Sequence, residues 1–306
     1  MTADLRTELA GVQLPSPILL ASGTCGYGNE LAPFLDLKTL GVIGAKSLTL
    51  EPRQGNPPVR IAETPSGMLN AISLENVGVQ AFIDEKLPAL PPELAVFASV
   101  FGTDVEQYIE VCRRLEGARG VVGIELNASC PHVKSGGIEF GQDPALLGEL
   151  VRRCRAATRA PLLVKLSPNV TSIADMARVC EAEGADGIAL INTLQAMAVD
   201  IENRTPVLSN GFGGLSGPAI RPVALRMVYQ VAQAVKLPVC GMGGISSAED
   251  VLAFLICGAS AIQVGTVSYV NPQVAEEIRL GLLAYLERHG IASIAELIGT
   301  LEFPDR

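Results

Sequence analysis

The chain has 306 residues, of which 48% are hydrophobic and 18% charged, enough apolar material to bury a full core and too much for a disordered chain. Its net charge of −9 argues against the clustered basic surface of a nucleic-acid-binding protein. Tryptophan is absent and aromatics make up 4%, so the core must be built from Ala, Val, Ile and Leu, as in parallel sheets covered on both faces.

Short apolar runs alternate with capped helical patterns. Eight strands are predicted in chain order: 17–22 (PILLAS), 42–46 (VIGAK), 95–101 (AVFASVF), 123–127 (GIELN), 161–166 (PLLVKL), 187–191 (GIALI), 238–242 (PVCGM) and 261–265 (AIQVG). Continuous apolar runs of this length suit buried parallel strands. Between them, a helix starts at Thr103 with Glu106 completing a capping box and stops at Gly117. Others start at Asp143-Pro144, end at Gly184, start at Ser246 or Ser247 and end at Gly258, and run from Asn271-Pro272 to Gly290. Eight strand–helix repeats predict an α/β fold, a (β/α)8 TIM barrel, over an open doubly wound sheet. With no linker or low-complexity segment, residues 1–306 read as a single domain. Two connections are long, at roughly 48–94 after strand 2 and 193–222 after strand 6, and connections of that length usually serve function.

No stretch approaches the ~18–20 apolar residues that span a bilayer, and the N-terminus lacks a signal-peptide pattern. The seven cysteines are irregularly spaced with no CxxC pair. A cytoplasmic chain without a metal or iron–sulfur site of its own is expected, with neither membrane nor nucleic acid as partner.

Barrel enzymes place their chemistry at the C-terminal ends of the strands. Those ends carry Lys46-Ser47, Ser99, Asn127, Lys165, Asn192-Thr193, Gly243-Gly244 and Gly265-Thr266. The glycines of GMGGIS, ahead of a helix N-terminus, and the following VGT fit a phosphate group. Lys165, in LLVKLS, suits an anion or an electron-rich ring, a Schiff base as in barrel aldolases, or an ion pair at the rim. Asn70 and Asn76, with Asn127 and Asn192, offer up to four amides to a ring with alternating N–H and C=O groups. Cys130 lies in NASCPHVKSGG just past strand 4, where Gly136-Gly137 would let the loop act as a lid. A thiol of pKa ~8.5 can serve there as a general base. His132 reads as a loop residue and His289 as a helix C-terminal charge.

NASCPHVKSGG, SGMLNAISLENVG, VKLSPNV, NTLQAMAVD, GGLSGPAIRPVALRMV and GMGGISSAEDV followed by VGT resemble, in order, the motifs of class 1 dihydroorotate dehydrogenases, most closely the NAD-linked class 1B. The resemblance implies oxidation of dihydroorotate to orotate in pyrimidine biosynthesis, with Cys130 removing the C5 proton while a hydride passes from C6 to N5 of FMN. It implies substrate contacts from Lys46, Asn70, Ala71, Ile72, Ser73, Leu74, Asn127, Asn192 and Thr193. FMN would meet Ser22, Lys46, Ser47, Asn127, Lys165, Ile191, Gly217, Gly243, Gly244, Gly265 and Thr266, with Lys165 stabilising the reduced ring. Ser99 stands where the family commonly has Asn, which changes the flavin contact expected there. Class 1B further implies a homodimer core in a heterotetramer, with a partner subunit carrying FAD and a [2Fe–2S] cluster that passes electrons to NAD. A fumarate-linked class 1A enzyme, another flavin barrel reductase and a phosphate-binding barrel lyase or aldolase remain the alternatives.

Overall fold

The computed structural model describes residues 3–37, 40–129, 131–132 and 138–304. Eight parallel strands close into a barrel: β1 (Ile18–Leu20), β2 (Val42–Leu48), β3 (Ala95–Val100), β4 (Val121–Asn127), β5 (Leu162–Lys165), β6 (Gly187–Leu190), β7 (Val239–Met242) and β8 (Ala261–Val264). They pair in chain order, and β8 returns to β1 through Ile262↔Ile18, Gln263↔Leu19 and Val264↔Leu20. Among the described residues, six longer helices lie between or after the strands: α1 (Val105–Leu115), α2 (Pro144–Ala157), α3 (Ile173–Ala182), α4 (Arg221–Ala232), α5 (Ala248–Ile256) and α6 (Val274–His289). Their apolar faces pack on the outward residues of the strands in one continuous core.

Helix punctuation follows the sequence closely, with two corrections. The N-cap of α1 is Asp104, not Thr103; its carboxylate accepts from Gln107 N at 3.0 Å. Thr103 instead takes the Gln107 side-chain amide on its hydroxyl at 2.8 Å. A carboxylate at the positive end of the helix outcompetes a hydroxyl one residue earlier. Helix α6 begins at Val274, after an Asn271–Gln273 turn closed by Gln273 N donating to Asn271 Oδ1 at 3.0 Å, rather than at Pro272. Asp143 caps α2, with Pro144 in its first turn. Ser247 caps α5, and Gly290 ends α6 in the left-handed conformation.

An antiparallel hairpin, Thr7–Leu9 with Val12–Leu14, plugs the N-terminal end of the barrel. Leu9 and Leu14 bury themselves in a second core with Leu19, Phe97, Leu163, Ala189, Cys240 and Ala261 from the strands. The Thr7 hydroxyl donates to Ser260 O, just before β8, at 2.9 Å. The barrel is therefore a packed core with an apolar floor, and the cavity lies at its C-terminal mouth.

The two long connections meet over that mouth. They form a four-stranded antiparallel sheet in the order Leu194–Ala196, Gly213–Ser216, Gly67–Asn70, Ile61–Thr64. Glycine makes this sheet possible: a side chain on Gly67 would collide with Ser216 O and one on Gly214 with Thr193. No helix among the described residues is long and apolar enough to cross a membrane.

Candidate active site

The strand ends and the overlying sheet enclose one cavity of about 1130 Å³. Lys46 and Ser47 are adjacent on β2, and strict alternation would point one of them away. The pairing with β3 runs Ala45↔Ala98 and then Leu48↔Val100, three residues against two. The resulting bulge turns both Lys46 and Ser47 to the cavity.

From there a chain of polar side chains crosses the mouth. The Asn127 amide donates to Ser47 Oγ at 3.4 Å, and the Asn192 amide donates to Asn127 Oδ1 at 3.3 Å. Thr193 N donates to Asn192 Oδ1 at 2.8 Å. Asn70 enters from the overlying sheet and is held by its own amide on Gly214 O at 3.3 Å. Ala71, Ile72, Ser73 and Leu74 continue that wall. Ser22, Lys165, Ile191, Gly217, Gly243, Gly244, Gly265 and Thr266 also line the same space.

Two expected contributions differ. Ser99 does not reach the cavity; it is fully buried behind Ser47, with the two hydroxyl oxygens 2.8 Å apart. A serine is too short to pass its neighbour, so Ser99 supports the wall from behind. Asn76 also turns away. Its amide donates to Thr49 Oγ1 and Leu74 O, and its oxygen accepts from Thr49 N and Gly78 N, so it pins the first long connection to the end of β2. Cys130 and Gly136-Gly137 lie outside the described residues.

The structure adds residues that the sequence reading missed. Glu125 and Gln263 sit inside the barrel one tier below the mouth, both fully buried. Gln263 Nε2 donates to Glu125 Oε2 at 2.7 Å, and Glu125 Oε1 lies 3.9 Å from Lys165 Nζ. Lys165 thus has a carboxylate partner, but one tier inside the barrel rather than at the rim, where the sequence reading allowed for one. The signal was present: in GIELN and AIQVG a polar residue interrupts an apolar strand two positions before a predicted site residue, on the same face. Asn169, in LSPNV, lines the cavity and bridges to Thr193 O at 3.2 Å. Two buried polar atoms on the cavity wall, Ser129 Oγ and Gln263 Oε1, have no protein partner among the described residues.

At the far end, Gly243, Gly244 and Gly217 all hold positive φ, at 125°, 72° and 90°. A Cβ on Gly244 would stand 2.7 Å from Gly217 O, so only glycine lets these two loops touch. Asp250, in the first turn of α5, accepts from Ser246 N at 2.8 Å and Ser246 Oγ at 2.9 Å and pairs with Arg221. That latch fixes the loop after β7 against α4 and α5.

Charge in the mouth is predominantly basic and poorly solvated. Burial pushes the Lys46 ammonium below its ordinary 10.5, with Glu75 partly opposing and Arg60 and Lys165 adding to the fall. Such a lysine gains from an anionic ligand.

A closed (β/α)8 barrel with an apolar floor and a polar, lysine-bearing mouth has the architecture of the α/β-barrel enzymes, and its basic residues suit an anionic, hydrogen-bonding ligand. Within that class the assignment is specific: the chain belongs to the dihydroorotate dehydrogenase family, whose pattern it matches over residues 4–286. The dihydroorotate dehydrogenase B (NAD(+)) catalytic subunit of Pelobacter propionicus is 52% identical over 303 residues, spanning 99% of this chain and 100% of that one. The protein of the same description from Geotalea uraniireducens is 53% identical over 299 residues, 97% and 98% of the two chains. A structure of DHODH from Eimeria tenella in complex with ferulenol shares the fold, with a TM-score of 0.80 over 97% of this chain and 88% of that chain at 21% identity.

Proposed function

We propose that this chain is the catalytic subunit of an NAD-linked dihydroorotate dehydrogenase, oxidising dihydroorotate to orotate in pyrimidine biosynthesis. The observation that carries the reading is the end-to-end likeness to relatives of that description, in a chain whose predicted site residues line a single cavity with the exceptions described above.

The cavity fits FMN as the cofactor. Its glycine-lined end admits a phosphate close to backbone, Lys165 offers a cation to the ring, and the buried Gln263 Oε1 and Ser129 Oγ offer polar atoms that the described residues leave unmet. Ser22, Lys46, Ser47, Asn127, Lys165, Ile191, Gly217, Gly243, Gly244, Gly265 and Thr266 would hold it, with Ser99 acting only through Ser47. When bound, FMN supplies the two-electron acceptor for the hydride leaving C6 of the substrate.

The chain's own residues do the rest. Cys130, as thiolate, takes the proton from C5. Lys46 meets the substrate carboxylate, while Asn70, Asn127, Asn192 and Thr193, with the Ala71–Leu74 backbone, orient the ring through paired donors and acceptors. The overlying sheet covers the mouth above these residues. The description of the relatives as catalytic subunits supports a second subunit; we assign it FAD and a [2Fe–2S] cluster, on a homodimer of this cytoplasmic, single-domain chain.

Anaerobic addition of dihydroorotate to the purified chain tests the reading. Bleaching of the flavin absorbance is expected. A yellow protein that stays oxidised would assign another substrate, and a colourless one that cannot be reconstituted with FMN would defeat the reading. Cys130→Ala should keep FMN and lose ~10²–10⁴-fold in reduction rate, the usual contribution of a positioned base.

A further inference from the structure

Glu125 is a carboxylate in the middle of the barrel, fully buried, between the apolar floor and the mouth. Taking an ionised carboxylate out of water costs several kcal/mol unless it is paired and hydrogen-bonded. It has both: Ser22 Oγ donates to Oε1 at 3.0 Å, Gln263 Nε2 donates to Oε2 at 2.7 Å, and Lys165 Nζ stands 3.9 Å from Oε1. Ser22 links the two charges, accepting from Lys165 Nζ at 3.2 Å while it donates to Glu125. Glu125 of β4 and Ser22 after β1 thus meet the Lys165 ammonium, with Gln263 of β8 holding the carboxylate from the other side.

The register explains the geometry. β5 pairs with β4 as Leu163↔Glu125 and Lys165↔Asn127, so the carboxylate lies one tier beneath the lysine and away from the cavity side. The role of Glu125 toward a ligand is therefore indirect, while Gln263 in the same tier reaches the cavity wall. A floor that needed only packing would hold apolar side chains there, and would not leave Gln263 Oε1 without a protein partner among the described residues.

We propose that Glu125 is a positioning residue for Lys165. Clamped by Gln263 and Ser22, its carboxylate fixes the ammonium at the base of the mouth and offsets part of its charge, and so sets how strongly a bound ring is drawn toward the reduced, anionic form. The charge-setting half rests on the FMN reading above.

The test is the reduction potential of the bound flavin at neutral pH, read by anaerobic equilibration with a redox dye. Glu125→Gln keeps the shape and one of the two accepted hydrogen bonds, turns the other oxygen into a donor, and removes the charge. It should shift the reduced-to-oxidised ratio at least tenfold toward reduced, about 30 mV for a two-electron couple. Glu125→Met, an apolar side chain of similar length that also removes the charge, should shift the ratio the same way; it carries the test if Glu125→Gln does not fold. Potentials equal to that of the unaltered protein in both variants overturn the proposal. A second readout needs no flavin. In a urea-unfolding cycle of the flavin-free chain, Lys165→Met should cost at least fivefold less in the folding equilibrium on the Glu125→Gln background than alone. Additive effects overturn the positioning role. A chain that takes no FMN sinks the proposed function instead, and the cycle then decides the pair.

Discussion

The side chains of Asn127 and Asn192 meet at 3.3 Å, although 65 residues and two strands of the barrel separate them. The oxygen of Asn127 that receives this bond also accepts from Ser129 N at 3.3 Å, so one amide organises the ends of β4 and β6 together. Asn127→Ala should lower kcat/KM for dihydroorotate by about 10- to 100-fold, the cost of one or two polar groups left unmet, roughly 1–3 kcal/mol. Asn127→Asp should lose more, because a carboxylate would face an anionic substrate. Steady-state kinetics would check both, and a loss under threefold for the alanine variant would remove Asn127 from the substrate contacts.

Lys46 makes the site pH-sensitive from the alkaline side. Burial lowers its pKa below 10.5, so it loses its charge earlier in the folded chain than in the unfolded one. In the ligand-free protein, the penalty of holding the cation is fully present below the folded pKa. It is relieved as pH rises from that value toward 10.5, and stability rises across that window. Ligand binding should show the opposite trend on the proposed reading, in which the Lys46 ammonium meets an anion. Orotate affinity, followed by flavin spectral change, should fall as pH climbs through the folded pKa, and Lys46→Met should flatten the profile at weak affinity. An affinity in the unaltered protein that stays constant up to pH 10.5 would contradict this role.

The barrel was legible in the sequence because buried parallel strands are unbroken apolar runs, and each run sits between a glycine stop and a polar cap. The mouth was legible because polar residues at the ends of such runs have no packing reason to be there. Glu125 and Gln263 escaped because they sit mid-strand, where only the inward-facing parity, shared with Asn127 and Gly265, distinguishes them from an outward surface charge. Ser99 and Asn76 were misplaced for a different reason. Which way a residue turns at a strand end depends on the Ala45–Leu48 bulge and on the Thr49–Asn76 bonds, and neither leaves a local pattern. The sheet over the mouth joins segments 144 residues apart, a pairing set by the closure of the barrel and not by neighbours in the chain.

The fully buried thiols away from the site should be chemically silent. Cys25 is fully buried and its pKa is pushed to about 12, chiefly by burial, with Glu30 adding to the rise. Burial drives Cys180 and Cys240 higher still, and Cys154 rises through its contact with Cys112. At pH 8 a thiol of pKa near 12 is thiolate in roughly one molecule in 10⁴. Brief iodoacetamide treatment of the native protein, followed by peptide mass mapping, should leave Cys25, Cys112, Cys154, Cys180 and Cys240 unmodified until denaturant is added. Labelling of any of these at the rate of a free thiol would show that the core around it opens.

Gly244 separates the role of the glycine loop in binding from its role in folding. It holds φ at 72°, and a Cβ there would stand 2.7 Å from Gly217 O and 3.0 Å from Arg221 N. Alanine therefore adds left-handed strain of about 1–2 kcal/mol and forces the loop after β7 away from the second long connection. Gly117 provides the comparison. It has nearly the same φ, 73°, follows α1, and has nothing within 4 Å of its Cβ position. Both alanine variants should lose about 1 kcal/mol or more in unfolding free energy from backbone strain, but only Gly244→Ala should weaken FMN binding, by tenfold or more in a reconstitution titration. If Gly117→Ala lost flavin equally, the loss would follow global stability and the cradle would have no special part in holding the phosphate. If Gly244→Ala kept full affinity, the phosphate would have to lie elsewhere along the mouth, and Gly265-Thr266 at the end of β8 would be the next place to probe.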